Sequence, residues 1–368
     1  VNIQEYGYNV IDKFKTLYPD AVNAMKNSDH SGPGFKSKWH LEGDVWTHTM
    51  MVVSQIYAEY EGNWEIDTHF KRMFIAALLH DVGKPMSRVV QEDGRVNFNG
   101  HDGAGTIIAH KMIFELDNTL TYEDKIYILK LINYHQVLFS VDKKAGNKAI
   151  EKLSAKFVGD YWLLEDVAIL RNADYLGNIS DCADNVNYEK INTIKFNIQR
   201  SKKEQPKNGA PFMNVLVGLP CSGKDTYLEN EWFKAKSVSR DDILMKYANG
   251  DSYSVAFRNV DQKMVDKEFA ETFEQYIKEG ESFFVNRTNL THKGRMKFIN
   301  RAKQAGFNIK VTVFLTDWEI ICKRNDNRTG KIIPDFVFNN MMKLFDMPFS
   351  NEGEVNYLFD YSKGEKNV

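Results

Sequence analysis

Val215-Leu216-Val217-Gly218-Leu219-Pro220-Cys221-Ser222-Gly223-Lys224-Asp225-Thr226 reads as a buried apolar strand, a loop hinged on two glycines, and the first turn of a helix. Such a turn is a phosphate cradle. Gly218 and Gly223 let backbone N–H groups point inward, the helix N-terminus adds positive dipole, and Lys224 can reach the outer phosphates of a nucleotide. The spacing follows the Walker A pattern up to its last position, where a Ser or Thr hydroxyl would meet Mg²⁺. Asp225 stands there instead, followed by Thr226. The candidate nucleotide contacts are therefore Gly218, Ser222, Gly223, Lys224, Asp225 and Thr226. A carboxylate about 4 Å from a phosphate oxygen would be repelled by roughly 4 kcal/mol at an effective dielectric near 20. Asp225 is thus expected to act through Mg²⁺, the alternative being an acidic residue stabilised by the helix dipole.

Working outward, the residues after this loop alternate apolar strands with helices. Strands are expected at Met213–Val217, Ser237–Ser239, Ser282–Asn286 and Ile309–Leu315, with helices near Lys224–Phe233, Val260–Lys278 and Lys293–Ala305. This rhythm predicts a parallel sheet flanked by helices, with ligands beyond the carboxyl ends of the strands. Gly218, Arg240, Asp241, Arg287 and Asp317 should then share one rim. Before the loop, Arg200–Pro211 is polar, aperiodic and carries two prolines, which is linker composition. The expected domains are 1–200 and 212–368, joined by a linker over 201–211.

The first half reads as nearly all helical. An amphipathic opening segment ends before Pro19; Asp44 caps a helix from Val45; further helices are expected at Phe70–His80, Ala104–Leu116, Tyr122–His135, Ala149–Phe157 and Trp162–Leu176. Their apolar faces carry ionisable residues: His48, the pair His80-Asp81, His101, His135 and Asp174. Burying His80-Asp81 beside Ala76-Ala77-Leu78-Leu79 is costly unless the two are paired or hold a metal. Mixed imidazole and carboxylate ligands suit a divalent ion, which acidifies bound water for attack at phosphorus. His110 falls on the opposite helix face from His101 and is left out of the set. His30 and His69 read as surface residues, His40 as lining the mouth, and Lys84 as meeting a substrate phosphate.

The bulk numbers bound the rest. A 368-residue chain with 43% hydrophobic and 27% charged residues has the composition of a soluble two-domain protein. A net charge of −2 argues against non-specific coating of nucleic acid. The three cysteines, Cys182, Cys221 and Cys322, are widely spaced, so neither a disulfide framework nor a thiolate zinc site is indicated. No apolar run reaches membrane-spanning length and no leader pattern is present, so a cytoplasmic setting without a membrane partner is expected.

Taken together, His40-Leu41-Glu42-Gly43-Asp44-Val45-Trp46-Thr47-His48, Leu79-His80-Asp81-Val82-Gly83-Lys84, Gly100-His101-Asp102, Tyr134-His135 and Asn172-Ala173-Asp174 resemble the HD phosphohydrolase superfamily, especially the branch attached to CCA-adding enzymes. That resemblance implies metal ligation by His48, His80, Asp81, His135 and Asp174, with His101 a further ligand or a leaving-group contact. Downstream, the Gly218–Thr226 loop, Ser239-Arg240-Asp241-Asp242 and Lys323-Arg324-Asn325 with Arg328 resemble phage and bacterial polynucleotide 5′-kinases. That likeness implies Lys224 on the donor, Asp241 as general base, and Arg324 and Arg328 as a lid. Leu244 stands where the phage pattern has an arginine, and Arg287 where it has an acidic residue.

The joint order is similar to the bifunctional HD-domain polynucleotide kinases that heal RNA ends. It implies removal of 2′,3′-cyclic, 2′- or 3′-phosphate by the HD half and phosphorylation of a 5′-OH by the kinase half. The partners would be RNA ends, with DNA ends as the alternative, and a separate ligase. ATP or another NTP with Mg²⁺ or Mn²⁺ would serve the kinase, and Mn²⁺, Ni²⁺, Co²⁺ or Zn²⁺ the HD half. The competing readings are a small-nucleotide phosphohydrolase fused to a nucleoside or metabolite kinase, and a non-catalytic nucleotide sensor.

Overall fold

Residues 2–62, 66–142, 146–181, 186–230 and 236–362 are described by a computed structural model. The chain divides between Lys203 and Glu204 into two compact units. Cys182 and the expected helix end at Phe233 lie outside the described residues.

The first unit runs α1 (Ile3–Leu17), α2 (Pro19–Lys26), α3 (Val45–Glu59), α4 (Thr68–Leu79), α5 (Lys84–Ser87), β1 (Val89–Val90), β2 (Val96–Asn97), α6 (His101–Leu116), α7 (Tyr122–Tyr134), α8 (Phe139–Asp142), α9 (Asn147–Lys156), α10 (Tyr161–Leu176) and α11 (Tyr188–Arg200). Its core is α4, buried without a break from Met73 to Leu79 and packed against α3 and α7. The sequence explains the boundaries. Asp44 accepts a hydrogen bond from the Thr47 N–H to start α3, and Thr121 and Asp124 form a reciprocal capping box on α7. Pro19, expected only to stop α1, also starts α2, because its missing N–H costs nothing at a first helical position.

Gly83 fixes how the turn after α4 meets α6. A Cβ there would lie 2.1 Å from the His101 carbonyl oxygen and 2.4 Å from the Gly105 nitrogen, so the two backbones approach as only glycine allows. That contact carries Asp81 to the start of α6. Two features were not foreseen. The small antiparallel hairpin of β1 and β2 interrupts the helices, and α11 was not foreseen although Ile191, Ile194 and Ile198 give it a buried stripe behind the Asn187 cap.

The second unit comprises β3 (Phe212–Val217), α12 (Lys224–Asn230), β4 (Lys236–Ser239), α13 (Arg240–Lys246), α14 (Tyr253–Asn259), α15 (Gln262–Glu279), β5 (Phe283–Asn286), α16 (His292–Gln304), β6 (Asn308–Leu315), α17 (Trp318–Asp326), α18 (Asp335–Lys343) and β7 (Glu354–Phe359). The strands form one parallel sheet in the order β4-β5-β3-β6-β7. Strand β3 is central and buried, and the glycine loop leaves its carboxyl end where the chain order reverses across the sheet. The fifth strand, β7, escaped the sequence reading because it is an edge strand with no fully buried residue.

A buried ion pair anchors the segment leading into β7. Arg295 and Glu352, both with fully buried side chains, meet through Nε at 2.6 Å and Nη2 at 2.9 Å, while Nη1 faces the carbonyls of Asn289, Leu290 and Asp346. Burial pushes the Glu352 carboxyl up, but Arg295 outweighs it and holds it at about 2, below its ordinary 4.5. Its contribution is therefore complete above about pH 4.5 and is lost as pH falls toward 2. Glu352→Gln, which leaves Arg295 buried without its anion, is expected to cost about 3–5 kcal/mol at pH 7. Urea unfolding of both proteins between pH 7 and pH 3 checks this. A wild-type advantage that is absent, or that does not shrink on acidification, would contradict it.

Candidate active sites of the two units

In the first unit, five helix ends or faces deliver ionisable groups to one interior point. His48 lies on α3, His80 and Asp81 directly after α4, His101 at the start of α6, His135 directly after α7, and Asp174 on α10; all are buried. Asp81 is the hub. Its Oδ2 is 3.2 Å from His80 Nε2 and 3.6 Å from His48 Nε2, and its Oδ1 is 3.3 Å from His101 Nε2 and 3.9 Å from His135 Nε2. Asp174 Oδ1 closes the other side, 3.0 Å from His48 Nε2 and 4.0 Å from His80 Nε2.

The ring tautomers follow from the partners of the other nitrogens. Nδ1 of His80, His101 and His135 lies 2.8, 2.8 and 2.7 Å from the carbonyl oxygens of Ala77, Phe98 and Ile132. A carbonyl only accepts, so each Nδ1 carries a proton and each Nε2 is the atom presented to the interior, where it can hold a cation or a proton shared with the carboxylates. His48 differs: its Nδ1 lies 3.1 Å from Glu42 and its Nε2 3.0 Å from Asp174, and although burial opposes its charge, these two carboxylates raise its pKa to about 9, so without an ion the ring carries both protons. His101 Nε2 and His135 Nε2 then face each other at 3.1 Å, an arrangement that requires a proton or a cation between them. His80 Nε2 is buried without a hydrogen-bond partner. Burial opposes ionisation of both carboxyls, but His80 and Lys84 at Asp81, and His48 at Asp174, keep them well below the usual range. Two groups, His48/His80/Asp81 and Asp81/His101/His135, each gather their ligand atoms within 4.8 Å, so the donor set fits a divalent ion.

In the second unit the glycine loop wraps the ammonium of Lys224, which donates to the carbonyls of Gly218 at 2.9 Å and Leu219 at 2.7 Å. Burial pulls its pKa down to about 8. Gly223 has φ +100°, and a Cβ there would meet the Tyr361 carbonyl oxygen at 2.7 Å. Arg324 braces the same place, donating to the carbonyls of Cys221 at 3.1 Å and Tyr361 at 2.8 Å. The loop, Asp225, Thr226, Asp241, Arg287, Arg324 and Arg328 line one cavity of about 710 Å³. Asp241 accepts from the Tyr253 hydroxyl at 2.9 Å and ion-pairs with Lys331. Burial works against its charge, but Lys331 outweighs that and holds the carboxyl below its usual range.

Residues 45–178 match the family described as HD domain, and residues 213–348 match AAA_33, described as AAA domain. The two matches follow one another along the chain, an HD domain first and a P-loop domain of the AAA description second. Among solved structures, that of a candidate kinase from Chloroflexus aurantiacus aligns at 12% identity with a TM-score of 0.32, covering 41% of this chain and 88% of that one.

Within the HD domain, the six residues expected at the metal site are brought together. His30 is the correction: expected at the surface, it is 4% exposed, because backbone pairing of Asp29 with Asp44 draws the Ser28–His30 segment against the start of α3. Its Nδ1 is 2.8 Å from the Gly43 carbonyl oxygen, its ring stacks on His40 at 4.0 Å, and its Nε2 is 3.1 Å from Lys84 Nζ. Lys84 is itself buried and reaches Asp81 Oδ2 at 2.6 Å, so it neutralises the hub rather than standing free. Glu42 was missed: its Oε1 serves both His40, at 2.8 Å, and His48. His69, also expected at the surface, is half-buried between Asp166 and Tyr60, and His110 is buried on α6 outside the two ligand groups.

Within the P-loop domain, Arg240, Asp241 and Arg287 share the cavity, but Gly218 and Asp317 do not line it. Gly218 acts beneath it through its carbonyl, and the Asp317 side chain is used to cap α17. Asp225 is exposed and accepts from the Asn286 side chain at 2.9 Å. Ser222 is buried, within 3.4 Å of the Lys224 ammonium. Tyr253, Lys331 and Asn286 carried no sequence signal as site residues; they enter from the start of α14, a loop and the end of β5, whose positions only the fold sets. Among the described residues no helix is long and apolar enough to cross a membrane.

Proposed function

We propose that this protein heals nucleic-acid ends, most simply RNA ends. The HD domain would hydrolyse 2′,3′-cyclic, 2′- or 3′-phosphate, and the P-loop domain would transfer the γ-phosphoryl of ATP or another NTP to a 5′-OH, leaving a separate ligase to seal. The observation that carries the reading is Asp241 in the same cavity as the Lys224 loop: a base opposite the donor cradle is what a hydroxyl-phosphorylating enzyme needs. In that step the acceptor oxygen bonds to the γ-phosphorus as the bond to the leaving diphosphate breaks. The hydroxyl proton passes to Asp241. Lys224, Arg324 and Arg328 offset the charge on the transferring phosphoryl, and Asp225 would hold Mg²⁺ or Mn²⁺ directly or through water.

In the HD domain, His48, His80, Asp81 and Asp174, with His101 and His135, would hold Mn²⁺, Ni²⁺, Co²⁺ or Zn²⁺. Such an ion polarises a phosphoryl oxygen and acidifies water. Glu42 and the three carbonyls orient the imidazoles, and Lys84, paired with Asp81, would meet a substrate phosphate only if it exchanged that partner. The test is an RNA with 5′-OH and 2′,3′-cyclic phosphate ends, incubated with labelled ATP and each divalent ion. Label at the 5′ end and loss of the cyclic phosphate are expected. Turnover of free nucleosides and nucleotides alone would favour the metabolite-kinase reading, and nucleotide binding without turnover the sensor reading.

A further inference from the structure

The cavity of the P-loop domain has a donor side and an opposite side. Lys224 closes the glycine loop, Arg324 stands on α17, which follows β6, and Arg328 lies just beyond the end of that helix. On the other side of β3, β5 and β4 pair in parallel with Ser239 opposite Asn286, so Arg240 and Arg287 leave the sheet at the same level. Arg240 is engaged, donating to Asp266 at 2.8 Å and to Gln262 at 2.7 Å. Arg287 is not. Its guanidinium makes no hydrogen bond and no ion pair within 4 Å among the described residues; it lies over the face of Phe269 at 5.0 Å, in the cavity. Burial disfavours its charge, a cost that a bound anion would relieve.

Beside it stands an aromatic shelf. Tyr253 and Phe257, one turn apart on α14, stack with centroids 6.1 Å apart and line the same cavity, and Phe257 is 48% exposed. Tyr253 also touches the base Asp241, so whatever lies on the shelf lies beside the attacking hydroxyl. Leu244, at the position where phage kinases have an arginine, is fully buried and cannot contact an anion.

Lys331 lies over the Tyr253 ring at 4.0 Å, so the open aromatic face is that of Phe257. We infer that Arg287 and Phe257, backed by Tyr253, form the acceptor subsite: the guanidinium takes the phosphate 3′ of the terminal nucleoside, and the exposed Phe257 ring takes its base. This deepens the kinase reading proposed above and rests on it. An unengaged guanidinium matches a phosphate bidentately, and stacking on an aromatic face tolerates any base. The subsite would select nucleotides bearing a 3′-phosphate or phosphodiester over bare nucleosides.

The experiment measures steady-state phosphorylation of a nucleoside, its 3′-phosphate and a 5′-OH oligonucleotide by wild type, Arg287→Gln, Arg287→Lys and Phe257→Ala. Wild type is expected to prefer the two phosphate-bearing acceptors. Arg287→Gln should raise their KM at least about tenfold, with the KM for ATP little changed, and collapse the preference; Arg287→Lys should restore part of it. Phe257→Ala should raise KM about fivefold or more for all three acceptors. A preference that survives Arg287→Gln, or an effect that falls on ATP instead, overturns the inference while leaving the kinase reading intact. A wild-type protein inert towards every 5′-OH acceptor overturns both.

Discussion

Lys224→Ala is expected to lower 5′-phosphoryl transfer at least about a hundredfold while leaving phosphate release from 2′,3′-cyclic ends within about twofold of wild type. The size follows from the site: Lys224 is a cation buried at the base of the glycine loop, held by the Gly218 and Leu219 carbonyls and already pulled to about 8. A nucleotide entering the cradle presents phosphate oxygens to that ammonium, and alanine leaves them without it. Selectivity follows because every residue assigned to phosphate release lies in the other compact unit. End-labelling and phosphate-release assays on one preparation, with a melting curve to show folding, measure both. Loss of both activities in a folded variant would refute two separate centres.

Asp81→Asn is expected to do the reverse. It should abolish phosphate release and lower affinity for the HD-domain ion by more than the roughly 10–100-fold that loss of an outer-sphere partner costs. Asp81 is the member common to both ligand groups and the counter-charge to Lys84. Asparagine keeps its shape but brings an amide among Nε2 lone pairs and a buried ammonium. Titration calorimetry with Mn²⁺ and Ni²⁺ alongside the phosphate-release assay is the check. Wild-type ion affinity in the variant would remove Asp81 from the centre.

How much of this was readable in the chain varies with the range of the interaction that decides it. The β3–loop–α12 unit was readable because strand, glycines and lysine are contiguous, and the His80-Asp81 pair because it interrupts a fully apolar run. The convergence of His48, His101, His135 and Asp174 on that pair was readable only as helix-borne candidates, since the crossing of α3, α6, α7 and α10 is set by packing over long sequence separations. His30 was misread for the same reason: its neighbours are polar, and what buries it is strand-like pairing of Ser28–His30 with Gly43–Val45. Lys331 gave no signal because its partner, Asp241, is ninety residues away. Local composition thus located the chemistry, and the groups that modulate its charge came from tertiary contacts.

Gly83 would behave in mutational data like a ligand. It bears no side chain and touches no candidate ligand group with one, yet it sets the distance at which the α4 turn can approach α6. Any larger residue must push the His101 carbonyl and Gly105 away, and the space between Asp81 and His101 would open with it. A screen scored on activity would rank Gly83 beside the ligands. Separating the two kinds of position requires an ion titration at raised metal concentration: Gly83→Ala should regain phosphate release as the ion is forced in, whereas Asp81→Asn should not. The centre's tightness is thus encoded partly by an absence, in a residue that sequence-based site prediction has no reason to select.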